Sequence, residues 1–206
     1  MKKILVLLFT VFVIENASIG YAKQHNKDNW YIGFGLGYGD VQVKPDGSDS
    51  FSFSDVDGST QFSLQFGIGG MVSEKFHLGF DLSVISYSNT ITYTWNTVEQ
   101  TMQFKNYLLM ATFFPNKKGF FLRAGAGLSS WSITIENKML SGSEIFSGSE
   151  SVSGIGVLGG IGYAFWIGES FNLVLNFDVG LASFSDKDNF EGKLTYYNMY
   201  LSFYWF

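Results

Sequence analysis

The stretch Leu194-Thr-Tyr-Tyr-Asn-Met-Tyr-Leu-Ser-Phe-Tyr-Trp-Phe206 contains no glycine, no proline and no charge. Its residue types favour a pleated, half-buried surface. Left in water with an open edge, such a strand would be a site of aggregation. Closure into a cylinder inside a bilayer removes the hazard, because pairing satisfies both edges and lipid covers the outer face. Leu194–Phe206 therefore reads as the last strand of a transmembrane β-barrel, paired with the first. Two facings compete. One puts Trp205, Phe203, Leu201 and Met199 outward; the other puts Phe206, Tyr204, Ser202 and Tyr200 outward. The first set is the more apolar and is taken as the lipid face, with Asn198 and Ser202 turned inward.

Working back to the start, Asn29–Val41 alternates Trp30, Ile32, Phe34, Leu36 and Tyr38 with Gly33, Gly35, Gly37 and Gly39. Period two with all the bulk on one side predicts a strand. A face made of glycine packs nothing in a soluble sheet but suits the crowded inside of a narrow barrel. Further strands are expected from Phe62 to Gly69, Phe76 to Val84, Met102 to Phe114, Phe120 to Ile135, Ser153 to Trp166 and Phe171 to Leu181. The parity of the apolar set changes at Trp131, Ile133 and Ile135, which predicts a bulge near Leu128–Ser130. Long polar stretches at Asp40–Thr60, Glu136–Ser151 and Ser185–Lys193 alternate with short turns at Val72–Lys75, Pro115–Gly119 and Ile167–Ser170. Ile91, Tyr93 and Trp95 lie on an excursion beyond the membrane. The count is eight strands, and the long-short alternation is that of outer-membrane barrels, with long loops outside the cell. The expected fold is all-β: an eight-stranded antiparallel up-and-down transmembrane β-barrel.

The N-terminus has a different character. Lys2 and Lys3 precede Ile4–Ile14, which is apolar apart from Thr10, and Gly20-Tyr21-Ala22 offers small residues for cleavage. Residues 1–22 read as a secretory signal peptide, too short to span a bilayer as a helix, and residues 23–206 as the barrel. The mature chain then carries 11 basic and 17 acidic residues, a net charge of −6 that argues against a nucleic-acid partner. With no cysteine, there can be no disulfide and no lipid-modified cysteine.

With that strand rhythm, the motif Phe120-Phe121-Leu122-Arg123-Ala124-Gly125-Ala126-Gly127-Leu128 and the aromatic terminus at Phe206, the chain resembles the small eight-stranded outer-membrane barrels, the group of the OmpA transmembrane domain and OmpX. The resemblance implies a monomer in the outer membrane of a Gram-negative bacterium, surrounded by lipid and lipopolysaccharide. It also implies that Phe206 is read by the barrel-assembly machinery.

Inward positions gather the polar groups Gln65, His77, Asp81, Arg123, Asn172, Asn176 and Asp178, with Lys105 as a further candidate. Charges in a packed lumen need partners, so Arg123 is expected to bridge Asp81 and Asp178. Structural packing is the first reading of that network and a gate in a narrow pore for ions or small solutes the second. Lipid-modifying enzymes share this architecture, and the lipid A deacylases resemble one another in a His-x-Ser motif. Phe76-His77-Leu78-Gly79 lacks it, and His25 lies in the N-terminal tail, so no catalytic residue is assigned. Asp55-Val56-Asp57-Gly58 lacks the later ligands of a calcium loop, and neither metal nor cofactor is expected. Exposed aromatics on a stiff hairpin can anchor a partner, which makes Tyr93 and Trp95 candidates for binding an extracellular ligand. The functional expectation is a non-enzymatic barrel with a structural or surface-interaction role through four extracellular loops.

Overall fold

The computed structural model describes residues 30–45, 51–52, 60–116, 119–139, 144–167, 170–185 and 191–206. Residues 1–22, His25 and Asp55–Gly58 lie outside them. The eight strands are β1 Trp30–Pro45, β2 Thr60–Ser73, β3 Phe76–Thr92, β4 Asn96–Phe113, β5 Gly119–Met139, β6 Glu144–Trp166, β7 Phe171–Ser185 and β8 Glu191–Trp205. Each pairs antiparallel with the next, and β1 pairs with β8, so the sheet closes on itself. The seam runs from Ile32 opposite Trp205 to Pro45 opposite Gly192.

Alternation places the side chains. On β8, Met199, Leu201 and Trp205 are exposed to the surroundings, whereas Tyr196, Asn198, Tyr200 and Ser202 are buried inside. The apolar set thus decides the facing. The same holds on β4, whose Phe104, Leu108 and Met110 are inside while Tyr107, Leu109 and Phe113 face out. Lys105 belongs to the outward set of β4, opposite Ser130, and so drops out of the interior candidates. At the short-turn end, Gly119 adopts φ +70°, a conformation that favours glycine, and a Cβ there would also press the Tyr163 ring at 3.1 Å.

Two expectations fail above the lipid band. The register of β5 against both neighbours is regular through Leu128–Ser130, so no bulge occurs there. Irregularities occur instead at Met71/Ser73 and Asn137/Lys138. Trp131 is on the inner face and buried. What changes is the environment: past the bilayer the outer face meets water, and only the inner face remains a core. The polar stretches are also shorter than expected. β1 continues to Pro45 and is joined by a two-residue strand, Phe51–Ser52. β5 and β6 stay paired to Lys138 and Glu144, so most of Glu136–Ser151 is strand. The excursion carrying Ile91, Tyr93 and Trp95 takes the expected form: β3 and β4 make an unbroken hairpin up to a turn closed by the Tyr93 amide donating to Asn96 O at 2.8 Å.

Candidate functional site

Inside the barrel, three levels stack along the axis. Nearest the short turns is a cavity lined by aromatic side chains, including Tyr31, His77, Phe114, Phe121, Tyr204 and Phe206. Its rings pack on one another: His77 on Phe114 at 4.8 Å, Tyr31 on Tyr204 at 5.5 Å and Tyr31 on Phe206 at 5.8 Å between centroids. Phe206 is held there by its amide, which donates to Ser170 O at 3.2 Å.

The middle level is polar. Arg123 on β5 reaches both ways across the lumen, its Nη2 in an ion pair with Asp81 Oδ2 on β3 and its Nε 3.2 Å from Asp178 Oδ1 on β7. All three are buried, Asp178 completely. Gln65 on β2 donates from Nε2 to Asp81 Oδ2 at 2.7 Å and to the Tyr204 hydroxyl at 3.3 Å. Ser202 donates to Gln65 Oε1 at 3.0 Å, and Asn176 Nδ2 donates to Ser202 at 3.3 Å. The chain of contacts from Asn176 through Ser202, Gln65, Asp81 and Arg123 to Asp178 leaves β7 and returns to it. Such a network ties facing walls together through buried polar contacts, although among the described residues Asn176 Oδ1 and both Asp178 oxygens have no hydrogen-bond partner of their own. The structure thus brings together Gln65, Asp81, Arg123, Asn176 and Asp178. Asn172 is buried lower on β7 and lines the cavity, as does His77, whose ring sits among the aromatic ones.

Sequence reasoning missed some of the polar interior. Ser129 donates to Asn106 Oδ1 at 2.6 Å, and Asn106 Nδ2 donates to Ser83 at 3.3 Å, a second bridge across β3, β4 and β5. The misplaced bulge concealed Ser129, and Asn106 lies on a strand whose two faces, Phe104/Leu108/Met110 and Tyr107/Leu109/Phe113, are about equally apolar in sequence. Asp40 was missed as well. By alternation it lies on the outer face, yet it is buried under four donors: Val41 N at 2.8 Å, Ser52 Oγ at 2.6 Å, Gln61 Nε2 at 3.1 Å and the Tyr197 hydroxyl at 3.2 Å. It pins the base of the first extracellular segment to three strands.

The upper level is apolar. Val41, Ile85, Tyr87, Phe104, Leu194 and Tyr196 are essentially inaccessible, and Phe104 packs its ring on Tyr196 at 4.8 Å. A hydrated ion entering this layer would lose its water without compensation. Above it, Tyr93 and Trp95 stand at the hairpin tip, Trp95 being 82% exposed. They are far from the polar network in sequence register and form a separate surface. Among the described residues no cluster of three or more His, Cys, Asp or Glu side chains could hold a metal.

A family model described as outer membrane protein beta-barrel domain matches residues 4–205. Among solved structures, Ail, the attachment invasion locus protein of Yersinia pestis, is similar at 12% identity and a TM-score of 0.50, over 85% of this chain and 98% of that one. Ail in complex with the heparin analogue sucrose octasulfate is similar at 12% identity and a TM-score of 0.56, over 86% and 99%. Neisserial surface protein A aligns at 14% identity, over 85% of this chain and 96% of its own, with a TM-score of 0.46. No curated protein matches the chain. At such identities the likeness is one of fold.

Proposed function

This chain belongs to the outer membrane protein beta-barrel domain family, and we propose that it is a non-enzymatic integral barrel that acts at the cell surface through its extracellular extension. It resides in the Gram-negative outer membrane, a location shared by its structural neighbours. The observation that carries the reading is strand length. β5 has 21 residues and β6 has 23, whereas crossing the bilayer takes about 9–11. With β3 and β4 they rise past the lipid band as a four-stranded sheet.

The two faces of that sheet differ. The inner face continues the apolar core through Ile133 and Val152. The outer face presents hydroxyls, among them Ser88, Thr90, Thr101, Ser132, Thr134 and Ser149, with Thr134 and Ser149 3.2 Å apart. Lys138 on this face is engaged by Glu136 at 2.5 Å and Glu99 at 3.7 Å, so the surface is poorly suited to a polyanion such as the heparin analogue bound by Ail. A hydroxyl face suits the neutral sugars of the surrounding lipopolysaccharide, and Tyr93 and Trp95 extend beyond it to meet an external ligand. Export by a signal peptide cleaved after Ala22, insertion by the barrel-assembly machinery and a monomeric state complete the proposal.

The test is display on a Gram-negative host that lacks the protein, followed by adhesion to immobilised glycans and to cell layers. Wild type should confer adhesion, and the double variant Tyr93→Ala/Trp95→Ala should lose it at equal surface expression. A wild type no more adhesive than the empty vector, or a double variant as adhesive as wild type, would sink the proposal. Planar-bilayer recordings should show no sustained channel openings. Steady conductance would favour a narrow pore instead.

A further inference from the structure

We infer that the aromatic cavity at the short-turn end is a binding site for a small organic ammonium ion reaching it from the periplasmic side. Three observations converge. The walls are rings, and the face of an aromatic ring carries negative potential that attracts a cation positioned above it. Phe114, Phe121, Tyr31 and Tyr204 line one connected cavity, with Phe206 beside Tyr31. The floor is charged rather than apolar, because Asp81 and Arg123 line the same cavity.

The third observation is the charge balance of that floor. Arg123 contacts two carboxylates, Asp81 and Asp178. Among the described inward positions of the membrane-spanning part, these are the only formal charges apart from the titratable His77. One guanidinium between two carboxylates leaves an excess of one negative charge in a low-dielectric setting, where it acts strongly. An anion would meet that excess and a guanidinium engaged on both sides. A hydrocarbon would cover Asp81 and Arg123 without replacing their hydration, at a cost. An ammonium ion bearing apolar substituents meets both demands, with its charge toward Asp81 and its alkyl groups on the rings. A metal ion fits less well, since ring carbons outnumber the oxygen donors around the space.

The experiment uses the full mature chain refolded in detergent micelles, with the aromatic and histidine ring protons followed by NMR. Tetramethylammonium chloride is titrated against sodium chloride at matched ionic strength, with tert-butanol as the neutral isostere and trimethylacetate as the anionic one. Saturable shifts at the His77 and Phe121 rings are expected with tetramethylammonium only. Asp81→Asn should weaken binding about fivefold, and Phe121→Leu, which keeps an apolar wall but removes a ring face, should weaken it by a similar factor. Phe114→Leu serves as the second wall variant if Phe121→Leu does not refold. Equal binding of tert-butanol or trimethylacetate, undiminished binding by both variants, or shifts that rise linearly without saturating would each overturn the assignment.

Discussion

Removing the Arg123 guanidinium while keeping its stem, as in Arg123→Met, should destabilise the barrel far more than an ordinary interior substitution. Arg123 is 7% exposed, and its partners Asp81 and Asp178 are 4% and 0% exposed, so neither carboxylate can turn to water when the cation is lost. At 3.2 Å the Nε–Asp178 attraction is about 5 kcal/mol for an effective dielectric constant of about 20. The Asp81 contact is closer. Loss of the guanidinium's own desolvation cost offsets much of this sum, and breaking a buried pair by deleting one partner costs about 3–5 kcal/mol in practice. The triple variant Arg123→Met/Asp81→Asn/Asp178→Asn removes all three charges together. It should recover most of the loss, because a buried pair contributes little net stability relative to a neutral packing of similar volume. The assay is urea unfolding of the chain refolded into phospholipid vesicles, followed by tryptophan fluorescence and by the shift in gel migration between folded and boiled samples. A single variant within about 1 kcal/mol of wild type would refute the claim that the triad is a closed charge unit. A triple variant as unstable as the single one would refute the claim that stranded carboxylates cause the loss.

The lipid face offers a test of depth. Leu109 is 73% exposed midway between outward Phe113 and Lys105, so Leu109→Arg should cost about 2–4 kcal/mol in the vesicle unfolding assay, whereas Lys105→Ala should change little. Gly160 and Gly159 are neighbours in sequence on opposite faces of β6. A Cβ on Gly160 would collide with Asp178 Oδ1 and stand 3.1 Å from Arg123 Cγ, while one on Gly159 would meet nothing within 4 Å. Gly160→Ala should therefore cost about 1–3 kcal/mol and Gly159→Ala close to none, by the same measurement. Asp40→Ala removes the shared acceptor of Ser52, Gln61 and Tyr197. Proteolysis between Pro45 and Thr60 should then accelerate while the gel shift of the barrel stays unchanged, because each lost bond is local and worth about 1 kcal/mol.

How far the sequence could be read depended on the surroundings of each segment. Within the lipid band, alternation alone placed the side chains, because one face meets hydrocarbon and the other a narrow lumen. There the outward run from Trp30 to Tyr38 and the inward position of Arg123 could both be read from the alternation itself. Above the band the rule reverses. Trp131 and Ile133 continue the inner face, while Ser130, Ser132 and Thr134 face out, so the apolar set changes sides although the strand does not. A bulge was the wrong explanation for a change of solvent. The same reversal hid the strand character of Ser147–Ser151, where a polar composition suggested a loop but pairing with β5 supplies the backbone partners. The network around Arg123 was legible as a set of residues, but its route was not. Ser202 joins Gln65 to Asn176 only because β8 closes against β1 and thereby comes within reach of β2.

That closure shows what the glycine face of β1 is for. Across the seam, Gly33 lies opposite Tyr204, Gly35 opposite Ser202, Gly37 opposite Tyr200 and Gly39 opposite Asn198. A Cβ on Gly33 would stand 2.5 Å from the Tyr204 ring, and one on Gly35 would stand 3.1 Å from Gln65 Oε1. β1 therefore contributes empty volume, and the inward side chains of Leu194–Phe206 fill it. This matching also sets the register, which backbone pairing alone leaves free in steps of two residues. A slip of two in one direction would take Tyr204 away from the space at Gly33 and set Tyr200 against Gly35, where Gln65 already stands. In the other direction it would bring Asn198 opposite Val41, carrying a buried amide into the apolar level. Both alternatives keep the backbone bonds of the seam, so side-chain volume and polarity must select between them. The stretch with the greatest need for closure thus carries the information that determines how closure occurs.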